Sequence, residues 1–265
     1  IETWTSKEAY EHSPVFGPQL KEGEGKMDGM IPGGRYETMV LPLIPFAIKG
    51  CLWYQGESNL NNPQVYKRLF PAMVRSWRKE WNQGEFPFYY VQIAPYDYGR
   101  KNADKTEAAE IRQVQLECLK EIPNAGMVVT ADIGNRTCVH SSDKESVGKR
   151  LALWALAKTY QRSGTPYSGP LYKSFTIDKE KIIVEFDYAE MGMTSYDREI
   201  VGFEIAGKDG IYYPAKAVLF DNKTKVTLTS DQVPEPVGVK YGFRNYQPLN
   251  LFSNFGLPAS PFVAK

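Results

Sequence analysis

His140 and the run Gln55-Gly56-Glu57-Ser58-Asn59 are the residues whose types could do chemistry together. An imidazole has an ordinary pKa of about 6.5, so it can take and return a proton near neutrality. A nucleophilic hydroxyl needs such a base within hydrogen-bond reach. The 55–59 run offers two amides, a glycine, a carboxylate and a hydroxyl. Ser58 is the internal candidate nucleophile. Its setting, Gly56-Glu57-Ser58-Asn59-Leu60, resembles a Gly-x-Ser-x-Gly elbow but lacks the last glycine. Ser141 and Ser142 adjoin His140, and sequence neighbours rarely present to each other correctly. Plainer readings stand beside these: Ser58 or Asn59 caps the following helix, and His140 caps the next one or satisfies a backbone group. His12 has no polar turn around it. Glu57, Asp132 and His140 lack the spacing of a metal site, and no metal or cofactor is expected.

The elements around these residues must bring them together. An apolar, β-prone stretch over 47–54 leads into the 55–59 turn. A helix over 65–81 follows, with Tyr66, Leu69, Phe70, Met73, Val74, Trp77 and Trp81 on one stripe. Pro71 within it predicts a kink or break. Near-continuous apolar strands are expected over 86–94 and 125–131, with helices over 104–121 and 145–160. Alternating strand and helix predicts a parallel sheet covered on both faces. Loops that follow parallel strands emerge on one edge, so the 55–59 turn and the 132–143 loop carrying His140 should share it. Ahead of these, residues 1–5 read as a strand end. Ser6 reads as a helix N-cap, 14–34 as a loop, and 36–44 as a short buried helix.

The pattern changes at Gly164-Thr165-Pro166. Short β-prone runs follow over 182–187, 199–206, 211–213, 217–220, 225–228 and 237–243. Asp209-Gly210 and Asp221-Asn222 serve as turns. This predicts an α/β unit over 1–165 and a small antiparallel β unit over 166–265. The 265 residues are 42% hydrophobic with 32 basic and 31 acidic side chains, and the net charge is +1. That balance gives no footprint for nucleic acid or an anionic membrane. The most apolar stretch, 39–48, is short and contains Pro42 and Pro45, so no membrane span is expected. Cys51, Cys118 and Cys138 have no paired spacing that would imply disulfides or zinc. Aromatics are 13%, a richness compatible both with sugar handling and with ordinary β structure. A chain opening at Ile1 without a Met reads as a fragment or processed product.

Several stretches together resemble the sialate O-acetylesterase family. They are Leu52-Trp53-Tyr54-Gln55-Gly56-Glu57-Ser58-Asn59, residues 66–73 with 77–81, residues 86–95, Val139-His140 through 149–152, and Leu257-Pro258-Ala259-Ser260-Pro261. The family belongs to the SGNH-type hydrolases. The resemblance implies a three-layer α/β/α sandwich that removes acetyl groups from sugars with a serine and a histidine, without a cofactor. It makes His140 the general base. It makes Gln55, Gly56 and Glu57 the wall around nucleophile and oxyanion, and an O-acetylated sugar the substrate. Sialic acid or a related sugar is expected, with an acetylxylan-type esterase as the alternative, and the resemblance suggests a periplasmic or secreted setting. Two departures matter. The family's early Gly-Gln-Ser-Asn block is not in this chain, so the sheet is expected to be N-terminally incomplete. The nucleophile is then expected on an upstream segment or a second chain. The position two before His140, often Asp in related enzymes, is Cys138, and a thiol cannot hold an imidazolium as a carboxylate does. A sugar-binding or scaffold piece without catalysis is the alternative from another class.

Overall fold

The computed structural model describes residues 1–11, 32–99 and 101–265. His12 and most of the expected 14–34 loop lie outside them. Three parallel strands form the central sheet: β1 (Cys51–Tyr54), β2 (Phe88–Val91) and β3 (Ala125–Val128), in the order β1-β2-β3. Their register pairs Cys51 with Phe88 and Phe88 with Ala125. Ahead of β1 lies the short helix α1 (Lys7–Glu11). The main helices are α2 (Pro63–Trp81), α3 (Glu107–Cys118) and α4 (Lys144–Trp154).

Side-chain alternation along β2 makes the three layers. Phe88 and Tyr90 pack with Trp53 and with residues of α2 and α3. Tyr89 and Val91 face the other way, into a cluster with Val128, Val147 and Trp154. On the α2 side the packing is aromatic: Phe70 meets Phe88 and Tyr90 edge-on at 5.9 and 5.0 Å, and Trp77 meets Trp53 at 5.6 Å. Tyr66, Leu69, Phe70, Met73, Val74 and Trp77 of the predicted stripe are all buried, while Trp81 at the end is half-exposed. Helix α2 runs unbroken through Pro71. A missing N–H there removes one intrahelical bond, and the buried stripe outweighs that loss.

The chain then turns antiparallel. Strands β4 (Leu171–Asp178), β5 (Lys181–Asp187), β6 (Met193–Thr194), β7 (Phe203–Ala206), β8 (Tyr212–Pro214), β9 (Lys216–Phe220), β10 (Lys225–Thr229), β11 (Gly238–Tyr241), β12 (Phe252–Ser253) and β13 (Phe262–Ala264) follow. They form sheets ordered β4-β5-β10-β9 and β13-β11-β7-β8, plus the pair β12-β6. Ile182, Val184, Ile205, Val226, Leu228, Val239 and Phe262 share one core. β4, β6, β12 and β13 lie outside the strands read from the sequence.

Several expectations need correction. Residues 1–5 hold a 3-10 turn, Glu2–Trp4, in place of a strand. The Trp4 N–H and the Thr5 hydroxyl both bond back to the Ile1 carbonyl, which closes the turn. Ser6 does cap α1, accepting from the Ala9 N–H at 3.2 Å. Over 36–44 the chain forms a π turn, Tyr36–Val40, and a 3-10 turn, Leu41–Leu43, with only Tyr36 and Val40 buried. Pro42 removes a donor and prevents a regular helix there. The first strand is half its expected length, covering only Cys51–Tyr54 of the 47–54 run, and begins directly after Gly50.

Candidate active site

β1 and β3 are both parallel to β2, so the loops that follow them leave from the same edge. The ladder's last pair is Tyr54 with Val91. In parallel sheets ligands sit in the crevice beyond this end, and residues 55–59 follow there. Gly56 is buried, and a Cβ there would lie 2.6 Å from Ile93 Cγ2 and 3.1 Å from Gln115 Nε2. Only glycine lets this turn sit so deep. Glu57–Asn59 is a 3-10 turn, and α2 then starts at Asn62 with Pro63 in its first position.

Neither Ser58 nor Asn59 caps α2, contrary to the plainer sequence reading. Asn59 is buried, and its carboxamide oxygen accepts from Gln55 Nε2 at 2.8 Å. Its Nδ2 donates to the Glu2 carboxylate at 3.0 and 3.1 Å. Gln55 is thereby held at both ends, since its carbonyl accepts from the Tyr66 hydroxyl at 3.1 Å and from Gln115 Nε2 at 3.2 Å. Its Oε1 is buried without a partner among the described residues. Ser58 is exposed on the 3-10 turn.

The Glu57 carboxyl sits above the usual carboxylate range because burial disfavours its charge. Its own N–H, His140, Lys144 and the Gly56 N–H pull the other way without cancelling that effect. Glu57 thus lies within electrostatic reach of both His140 and Lys144. Lys144, at the start of α4, lies with its ammonium 5.0 Å from the centre of the Tyr54 ring. The crevice edge therefore gathers an amide, a carboxylate, an imidazole and an ammonium.

The loop carrying His140 is clamped at both ends. Arg150 of α4 grips Asp132 with two bonds of 2.8 and 2.6 Å and also donates to the Val129 carbonyl at 2.8 Å. Asp132 is thus engaged as an ion-pair partner. At the far end Asp143 caps α4, accepting from the Ser146 N–H at 2.9 Å, so His140 is not the cap. Ser141, buried beside the histidine, donates to the Ile133 carbonyl at 2.5 Å. His140 itself is exposed, and among the described residues its ring makes no hydrogen bond. The Cys138 thiol donates to the His140 carbonyl at 3.3 Å and so steers backbone, not imidazole.

The sequence brought Gln55, Gly56, Glu57 and His140 to this edge. It missed Gln115, Tyr66, Lys144 and Arg150. For Gln115 the signal was available: Arg112 and Gln115 are polar residues on the buried face of α3, and buried polar groups must find partners.

Residues 30–157 match the family model described as "Carbohydrate esterase, sialic acid-specific acetylesterase". The human sialate O-acetylesterase is 26% identical over 292 residues, covering 100% of this chain and 55% of that protein. The mouse protein of the same name is 27% identical over 257 residues, 87% of this chain and 47% of that one. The chain spans about half the length of these curated relatives. Among solved structures, a carbohydrate acetylesterase from Xanthomonas citri superposes with a TM-score of 0.88 at 32% identity. It covers 100% of this chain and 58% of that one.

Proposed function

We propose that the chain is a member of the sialic acid-specific acetylesterase family of carbohydrate esterases that it resembles, and that it supplies the base and the oxyanion wall of a serine esterase. The substrate is an O-acetylated sialic acid or a related sugar. The observation that carries this reading is that the 55–59 turn and the loop bearing His140 leave parallel strands at the same edge of the sheet. His140 takes the proton from a serine hydroxyl as it attacks the acetyl carbonyl carbon. Donors of the 55–57 turn face the charge that develops on the carbonyl oxygen. The protonated imidazole then gives the proton to the departing sugar oxygen, and water releases acetate by the same steps in reverse.

The nucleophile is proposed to come from a segment upstream of this chain in the longer polypeptide. Among the described residues β1 pairs only with β2, and none pairs with its other edge. Leu52 there is 61% exposed, an unusual state for a strand in a parallel sheet. Beside it lies a groove of about 620 Å³ lined by Trp4, Met39, Leu43, Ile48 and Trp53, which reaches Gln55. A strand laid parallel to β1 would cover this groove and end beside Gln55. A hydroxyl there could donate to the unpartnered Gln55 Oε1.

The test is hydrolysis of p-nitrophenyl acetate and of O-acetylated sialic acid by the longer polypeptide and by the 265 residues alone. The longer protein should release acetate, and the present chain should not. His140→Ala should lower kcat by about 10²–10⁴-fold, the usual worth of a positioned base. Equal activity of parent and His140→Ala would remove the histidine from the mechanism. Activity of the short chain that disappears in Ser58→Ala would move the nucleophile to Ser58. Activity restored to the short chain by a separately added second chain would move it to that partner.

A further inference from the structure

Helix α3 lies behind the crevice and is not part of its wall, yet it reaches the crevice through one side chain. Gln115 is fully buried. Its Nε2 donates to the Gln55 carbonyl at 3.2 Å and to the Val91 carbonyl at 3.3 Å, with the Tyr66 hydroxyl at 3.5 Å. Its Oε1 accepts from the Ile93 N–H at 2.9 Å. One carboxamide thus bridges the ends of β1 and β2 where their ladder stops. The Gln55 carbonyl is shared with the Tyr66 hydroxyl, so two side chains hold it.

The carbonyl that Gln115 holds shares its peptide unit with the Gly56 N–H. A peptide is planar, so fixing the oxygen fixes the direction of the N–H. Two donors, Gln115 and Tyr66, hold this oxygen from two helices. Hydrogen bonding at the oxygen also polarises the unit and strengthens its N–H as a donor. The steric fit points the same way: a Cβ on Gly56 would press against Gln115 Nε2 and Ile93. The turn is therefore seated directly on this amide.

We propose that Gln115 is a positioning residue of the ester-cleaving site, acting with Tyr66 to lock the Gln55–Gly56 peptide and so fix the 55–57 turn that lines the site. This rests on the esterase reading above. Gln115 touches no substrate; it sets the geometry of a turn that does. Its removal should therefore affect the transition state more than substrate binding.

The experiment uses the longer, active polypeptide with Gln115→Met, Tyr66→Phe and the double variant, assayed on p-nitrophenyl acetate. Gln115→Met keeps the length and removes both donors. It should lower kcat by about 10- to 100-fold with KM changed by no more than about twofold, as expected for a small misplacement of a reacting group. Tyr66→Phe, a milder change, should lower kcat by a smaller factor. The double variant should depart from the product of the two losses, because both act on one carbonyl. Asn245→Ala, which loosens the fold at a distance, serves as the comparison for generic destabilisation. Parental kcat in folded Gln115→Met would overturn the inference. So would an equal loss in Asn245→Ala at a matched drop in Tm. If Gln115→Met does not fold, Tyr66→Phe decides: lowered kcat at parental KM supports the inference, and parental kcat overturns it. His140→Ala separates the two levels. If it abolishes activity while Gln115→Met does not, only the positioning role fails. If neither variant matters, the esterase site itself is misassigned.

Discussion

Glu57 is the residue whose chemistry departs furthest from that of a surface carboxylate. Burial raises its proton affinity in the folded chain, against the pull of its own N–H, His140, Lys144 and the Gly56 N–H. At low pH the carboxyl is protonated in both folded and unfolded chains and affects stability little. As pH rises through the window between the ordinary and the raised pKa, the unfolded chain releases its proton first, and stability falls. Above the folded pKa the loss is complete and constant. Glu57→Gln cannot ionise and should escape this loss. Thermal melts of parent and variant from acid to neutral pH provide the measurement. The Tm advantage of Glu57→Gln should grow as pH rises across the carboxylate range, and a constant difference would mean that the carboxyl is effectively solvated.

Helix α3 shows how elements remote in sequence hold the site together. Its N-terminal Ala108 N–H donates to Asn245 Oδ1 at 2.8 Å, so a residue 137 positions away caps the helix. Asn245 Nδ2 also reaches Glu107 at 3.0 Å, and Arg112 donates to the Arg244 carbonyl. Further along, Gln113 accepts from the Val263 N–H of β13 at 3.0 Å. Asn245→Ala should cost about 1–3 kcal/mol, a lost cap plus an orphaned buried N–H, read as a lower urea midpoint at unchanged m. Local packing was legible in the sequence only where a period repeats. The stripe of α2 and the alternating β2 strand each pack one local run of side chains against neighbours, and both were read. The cap from Asn245 and the Gln115 bridge were not, because each partner is chosen by the tertiary fold. The strand read over 1–5 failed for a similar reason: a propensity for β was overridden by bonds back to Ile1. The site divides along the same line. Topology and residue type placed 55–57 and His140 on one edge, whereas their supports, Arg150 on Asp132 and Ser141 on Ile133, required coordinates.

Among the described residues the parallel sheet ends at β1 on one side, and that flank is apolar, with Leu52 and the nearby Leu43 exposed at 61% and 53%. Unpaired, apolar strand edges template pairing with another chain. Without the proposed upstream strand, the 265-residue chain should self-associate through β1 as its concentration rises. Leu52→Lys places a charge on that edge at no packing cost, since the side chain is already exposed. Losing one leucine contact, about 1.5–3 kcal/mol, corresponds to about 10- to 150-fold in the association constant. Sedimentation velocity across a concentration series should show association in the parent and a marked shift to monomer in Leu52→Lys. The upstream strand proposed above would cover this edge in a longer polypeptide, where Leu52→Lys should instead damage folding or activity. A short chain that stays monomeric at every concentration, together with a longer chain indifferent to Leu52→Lys, would leave the β1 edge without the partner proposed for it and send the search for the nucleophile elsewhere.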